Sequence, residues 1–146
     1  MLGITLAVLL QASVVGEART DYTTAFKAAE ETGKPMLVLV GTDWCPACVT
    51  MKQSVIPRLQ RAGRLRGVVY TEVDADAQPR IANRIMSGGG GYPQLALYRK
   101  TKDGWRRQLL VGAQSESTIE TLVDRALEAQ KQEVGSEVTE VIPVSR

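Results

Sequence analysis

An α/β fold, with a central mixed β-sheet flanked by helices on both faces, is what the sequence predicts. Three observations predict it. Segments with helical spacing alternate with apolar segments of strand length. The run "MLVLVG" (36–41) is apolar without a break, as expected of a strand covered on both faces. Finally, "QLALY" (94–98), the turn signal "KTKDG" (100–104) and "WRRQLLVG" (105–112) read as a closing antiparallel hairpin.

Taken in order, "DYTTAFKAAEETGKP" (21–35) is a short helix. Tyr22, Ala25, Phe26 and Ala29 recur at i, i+3, i+4 and i+7, Asp21 caps the start, and Gly33 with Pro35 ends it. The buried strand 36–41 follows. "CVTMKQSVI" (48–56) has a helical pattern that must kink or stop near Pro57, because proline lacks the N–H and crowds the preceding turn. "GVVYTEVDAD" (67–76) is a second strand ending in turn residues. "AQPRIANRIM" (77–86) places Ile81, Ala82, Ile85 and Met86 on one helical face, with Pro79 near its start. Beyond "SGGGGYP" (87–93) comes the hairpin. In the last helix Ser117 and Glu120 have capping-box spacing, and Ile119, Leu122, Val123, Ala126 and Leu127 form the apolar stripe. After about Gln132 the helical period is lost, which predicts a frayed or extended tail over 132–146.

The 146 residues suffice for one domain, expected over 19–131. With 44% hydrophobic and 23% charged residues the composition is that of a soluble globular protein, and with 5% aromatics the core must rest on Val, Leu, Ile and Ala. A net charge of +2 gives no reason to expect nucleic acid. "RLQRAGRLR" (58–66) and "YRKTKDGWRR" (98–107) are basic but lack interleaved aromatics, so they read as solvated surface in preference to an acidic partner's site. Residues 1–18 open with an apolar run, Leu2 to Leu10, too short for a stable membrane span. With Gly16-Glu17-Ala18 behind it, the run resembles a secretory signal peptide or N-terminal anchor, although no Lys or Arg precedes it. The competing reading makes "ITLAVLL" a first strand. Export, to a periplasmic or other extracytoplasmic compartment, is the reading preferred.

The chemistry lies in "WCPAC" (44–48). Two cysteines and no histidine cannot supply the four ligands of structural zinc or an iron–sulfur cluster, and Val49 stands where haem attachment needs His. No metal and no cofactor is expected. A structural disulfide is a poor reason for this spacing, since closing so short a loop stabilises by only about 2 kcal/mol. Thiol–disulfide exchange fits better. Cys45 falls where a helix begins, with Pro46 at its first position, and the unpaired N–H groups there favour a sulfur anion. Cys48 lies within i, i+3 reach and points inward, so Cys45 attacks and Cys48 resolves. Asp43 opposes the thiolate and Lys52 favours it, a balance the sequence leaves open. Trp44 is either a flat apolar contact for a substrate or a half-buried packing residue.

These segments together resemble the thioredoxin superfamily. The buried strand before "WCPAC" is similar to the family's active-site segment, "GYPQLALY" (91–98) to its proline before a strand, and "VGAQSESTIETLV" (111–123) to its glycine turn and C-terminal helix. The resemblance spans about residues 21 to 130 and implies a thioredoxin-like fold with Cys45 and Cys48 as the catalytic pair. It also implies a cis bond before Pro93 and a substrate-binding surface of Trp44, Tyr92 and Pro93, the Tyr92 backbone pairing with an extended substrate. Pro46 and Ala47 tune the redox potential. They replace the Gly-Pro of thioredoxins proper, which leaves the direction of electron flow open. Two further departures stand out. Leu39 occupies the place of the family's buried aspartate and Tyr70 that of its lysine, so a water or Glu72 would have to help Cys48. The expected partners are proteins bearing disulfides or thiols and an upstream redox protein. The rival readings are a peptide-binding module with an idle disulfide and a glutaredoxin-like thiol carrier.

Overall fold

The computed structural model describes residues 21–87 and 89–139. The stretch read as a signal peptide or first strand lies outside them. Four strands, β1 (Met36–Gly41), β2 (Val69–Asp74), β3 (Gln94–Thr101) and β4 (Gly104–Val111), form one mixed sheet in the order β2-β1-β3-β4. β1 runs parallel to β2 and antiparallel to β3, and β3 pairs antiparallel with β4. All six residues of β1 are buried, as their unbroken apolarity requires of an inner strand.

The alternation of side chains along β1 divides the core into two layers. Met36, Val38 and Val40 pack with Ala25 and Ala29 of α1 (Tyr22–Thr32) and Ala82, Ile85 and Met86 of α4 (Pro79–Met86). Leu37 and Leu39 face the other way, onto Met51, Ile56 and Leu59 and onto Ile119, Leu122, Val123 and Ala126 of α5 (Glu116–Thr139). Helices thus cover both faces, and the apolar stripes expected for α1, α4 and α5 are the ones buried, with Ile81, Phe26 and Leu127 at their margins. The Asp21 carboxylate accepts from the Thr23 and Thr24 N–H groups at 2.9 and 3.1 Å, and Gly33 closes α1 with φ of 69°.

Three local expectations are corrected. First, of the kink or stop expected near Pro57, the stop does not occur. The helix runs on as α2 (Pro46–Thr50), one π-helical stretch (Met51–Val55) and α3 (Ile56–Arg61). The wider turn absorbs the missing proline donor and the bulk of its ring. Second, α5 is capped by Ser115, whose Oγ accepts from the Thr118 N–H at 3.1 Å, two positions before the Ser117 of the apparent capping box. Third, α5 stays helical to Thr139, past the point where the apolar period fades. Glu133 on that extension is held by Arg99 of β3 at 2.6 Å, an ion pair that hydropathy does not register. The basic segments are likewise engaged with acidic groups: Arg58 with Glu116 at 3.0 Å, Arg64 with Glu120 at 3.4 Å.

No helix among the described residues is long and apolar enough to cross a membrane.

Candidate functional site

Because β1 and β2 are parallel, their C-terminal ends leave the same edge of the sheet, and the loops that follow emerge side by side. The first loop carries Trp44 and Cys45. Cys45 is the N-cap of α2, with Pro46 at the first helical position, where a missing N–H costs nothing. The Cys48 N–H donates to Cys45 Sγ at 3.2 Å. Both cysteines are thiols in this structure. Cys45 retains 8% of its surface and Cys48 none, so an incoming sulfur can reach only Cys45. Cys45 is more enclosed than a freely exposed nucleophile.

Burial pushes the Cys48 thiol up to about 11, and its hydrogen bond and charge interaction with Cys45 add to the rise. The Thr42 backbone N–H and the Lys52 ammonium work against it. Gly41 explains how Cys48 is accommodated: a Cβ there would stand 2.9 Å from Cys48 Sγ and 3.0 Å from its Cβ. Only glycine lets strand and sulfur approach so closely.

Asp43 and Lys52, the two charges flanking the cysteine pair, bond to each other. Lys52 Nζ lies 3.2 Å from Asp43 Oδ1, the lysine side chain 7% exposed and the aspartate 83%. Trp44 is not half-buried; it stands 69% exposed. Its indole N–H donates to Asp76 Oδ2 at 2.8 Å, and its ring meets Tyr92 edge-on at 6.1 Å. Asp76 had no local signal, being 32 positions from Trp44. The parallel pairing of β1 and β2 is what brings the "VDAD" turn to this edge.

The Tyr92–Pro93 bond is cis. The Gly112 N–H donates to the Pro93 carbonyl at 2.8 Å, tying the end of the hairpin to the same loop. The glycines before Tyr92 are organised by a residue the sequence reading passed over. Gln94 is fully buried, and its Nε2 donates to the carbonyls of Gly89 at 3.3 Å and Gly91 at 3.2 Å. Gly90 has φ of 104°, and a Cβ on it would lie 3.0 Å from that Nε2. Cys45, Cys48, Trp44, Tyr92 and Pro93 therefore converge on one edge of the sheet. Pro46 and Ala47 form the first turn between the sulfurs. Leu39 lies in the core, and Glu72, its register partner on the same face, accepts from the Tyr70 hydroxyl at 3.1 Å. Among the described residues no group of three or more His, Cys, Asp or Glu side chains gathers to hold a metal.

Comparison with known proteins agrees with this geometry. A family model described as Thioredoxin-like matches residues 17–100, more than half of the chain. Among solved structures, thioredoxin from Thermus thermophilus is 19% identical with a TM-score of 0.60, covering 71% of this chain and 82% of its own. Thioredoxin from Plasmodium falciparum is 16% identical with a TM-score of 0.55, covering 73% and 83%. A protein termed Trxlp from Edwardsiella tarda is 26% identical with a TM-score of 0.52, covering 68% and 90%. No curated protein sequence matches the chain significantly. With the buried strand, the cysteine pair and the proline loop all inside that match, the chain belongs to the thioredoxin-like family.

Proposed function

We propose that this protein is a thiol–disulfide oxidoreductase acting on protein substrates. Cys45 attacks a substrate disulfide as a thiolate, one substrate sulfur leaves, and a mixed disulfide forms. Cys48 then attacks Cys45 Sγ, the substrate departs with both sulfurs reduced, and Cys45–Cys48 is left as a disulfide carrying the oxidation. An upstream redox protein restores the dithiol. Run in reverse, the same steps oxidise a partner. The observation that carries the reading is the Cys45 cap: the sulfur at a helix start accepts the Cys48 N–H at 3.2 Å, with the second thiol buried directly behind it. Such donors favour a sulfur anion.

Trp44, Tyr92 and Pro93 are assigned to the substrate, which lies extended along the Tyr92–Pro93 loop, and Pro46 and Ala47 to tuning of the couple. We further assign the protein to an extracytoplasmic compartment, a reading that rests on the apolar run from Leu2 to Leu10 and the Gly16-Glu17-Ala18 segment. Sequencing the N-terminus of the protein recovered from its native host would show whether residues 1–18 are removed.

Insulin reduction in the presence of a dithiol tests the activity. The protein accelerates it, Cys45→Ser abolishes the acceleration, and Cys48→Ser accumulates mixed disulfides visible on a non-reducing gel. Turnover that persists in Cys45→Ser would end the assignment. The enclosure of Cys45, at 8% exposure, is the one observation that a peptide-binding module with an idle disulfide would share. Partner binding that survives replacement of both cysteines, without insulin reduction by the parent, would favour that module.

A further inference from the structure

Resolution demands a thiolate from the least hospitable sulfur in the molecule. Cys48 is fully buried, and Leu39, where the family resemblance would put an aspartate, is an apolar core residue. Around Cys48 the charged and titratable groups are few. Cys45 caps its own helix, Lys52 lies one turn further along, Asp43 reaches the cluster through Lys52, and Glu72 projects from β2 on the same face. β1 and β3 contribute Leu37, Leu39, Leu95 and Leu97 to that face, and α5 contributes Ile119, Leu122 and Val123.

Lys52 is distinguished by where its two ends lie. The point a Gly41 Cβ would occupy is 2.9 Å from Cys48 Sγ and 3.9 Å from Lys52 Cε, so sulfur and lysine stem flank the same glycine. The lysine side chain is 7% exposed while the Asp43 that pairs with it is 83% exposed. The pair is therefore polarised: its anion sits in water, where it is screened, and the lysine side chain is held mostly inside, its Cε beside the same glycine against which Cys48 packs. A buried ammonium is expensive unless it has a close partner, which Asp43 supplies.

We propose that Lys52 is a positioning residue for the resolving step: its ammonium, tethered by Asp43, is the resident counter-charge for the Cys48 thiolate as that sulfur displaces the substrate from Cys45. The inference rests on the thiol-exchange reading. In the step itself the Cys48 S–H loses its proton to solvent water, the Cys48–Cys45 S–S bond forms, and the Cys45–substrate S–S bond breaks. The substrate sulfur leaves with the electron pair and takes up a proton from water. Lys52 keeps its own proton throughout; it supplies field, not acid or base.

The decisive measurement is the thiolate absorbance of Cys48 against pH in the Cys45→Ala protein, with Lys52 intact, as Lys52→Met and as Lys52→Arg. Met keeps the stem and removes the charge; Arg keeps the charge. The expected result is an upward displacement of the Cys48 titration by about one pH unit in Lys52→Met, and little in Lys52→Arg. In the chain with both cysteines, single-turnover release of substrate from the mixed disulfide should slow roughly three- to five-fold in Lys52→Met near neutral pH. The thiolate fraction falls about tenfold, but the more basic sulfur is the better nucleophile. An unmoved titration in Lys52→Met, or an equal displacement in Lys52→Arg, overturns the proposal. Should Lys52→Met not fold, Lys52→Gln gives the same comparison. The titration needs no substrate, so its failure leaves insulin reduction standing, and a protein that reduces no insulin still reads out Lys52.

Discussion

Gly41 and Cys48 are in contact across the end of β1: a single methyl group on the glycine would stand 2.9 Å from the sulfur. Strand and helix are fitted to each other at this point with no slack. Gly41→Ala should therefore either push Cys48 and its helix outward or strain β1, at a cost of about 1–3 kcal/mol. Urea denaturation of the reduced protein gives the stability change. If Cys48 is displaced, insulin reduction falls while alkylation of Cys45 continues. A variant with parental stability and parental turnover would show the contact to be loose.

The raised Cys48 thiol makes stability depend on pH with a definite sign. In the folded chain it titrates at about 11, against an ordinary value of 9.0. Between those values the folded protein keeps a proton that the unfolded chain has shed. Its contribution is thus fully present below about pH 9 and is lost as pH rises toward about 11. Urea midpoints of the reduced protein should drop between about pH 8 and about pH 10.5, and Cys48→Ala should show less of the drop. Equal slopes in the two proteins would refute the assignment to Cys48.

Trp44 is held in the open by its hydrogen bond to Asp76 and its edge contact with Tyr92. Asp76→Ala removes the acceptor and Asp76→Asn keeps one. If the indole is a docking surface, the alanine variant should raise KM for a protein substrate several-fold with kcat little changed, and the asparagine variant should recover most of it. Because the bond is exposed, the stability cost should be below about 1 kcal/mol. Steady-state kinetics with reduced protein and insulin separate the two constants.

Gln94 braces the loop in front of Tyr92 with two donated hydrogen bonds. Gln94→Glu preserves shape but turns a donor into a buried carboxylate facing two carbonyl oxygens. A loss of about 1–3 kcal/mol at neutral pH is expected, together with a higher KM for protein substrate. Acidification returns a proton and one donor, so the deficit should shrink as pH falls. Denaturation at two pH values checks this, and a deficit independent of pH would mean that Gln94 matters by volume alone.

Much of this was legible in the order of residues. The unbroken apolarity of 36–41 announced an inner strand, the spacing in α1, α4 and α5 announced which faces are buried, and the cysteines with Pro46 announced a helix start. These are local patterns set by helical and strand periods. What escaped was set by tertiary position. Pro57 was expected to kink or stop its helix because a regular α-turn cannot hold it; the helix does not stop, and a change of helical pitch accommodates the proline. Ser115 took the cap from Ser117, a shift of two residues that spacing alone does not decide. The pairs Trp44–Asp76 and Arg99–Glu133 join residues more than thirty positions apart, and Lys52–Asp43 depends on how the loop before α2 folds back.

The π-helical stretch at Met51–Val55 has an implication for how this chain tolerates change. It accommodates one residue more than an ordinary helix would between the sulfurs and the anchoring Ile56. Deleting one position there would restore regular pitch and leave Cys48 and Ile56 on the faces they now occupy, whereas the same deletion in the regular turns on either side would rotate everything upstream by about 100° about the helix axis. Only in the second case would Cys48 swing away from Gly41. Segment length is thus forgiving at the bulge and strict in the turns beside it, where a single-codon loss would disarm the molecule.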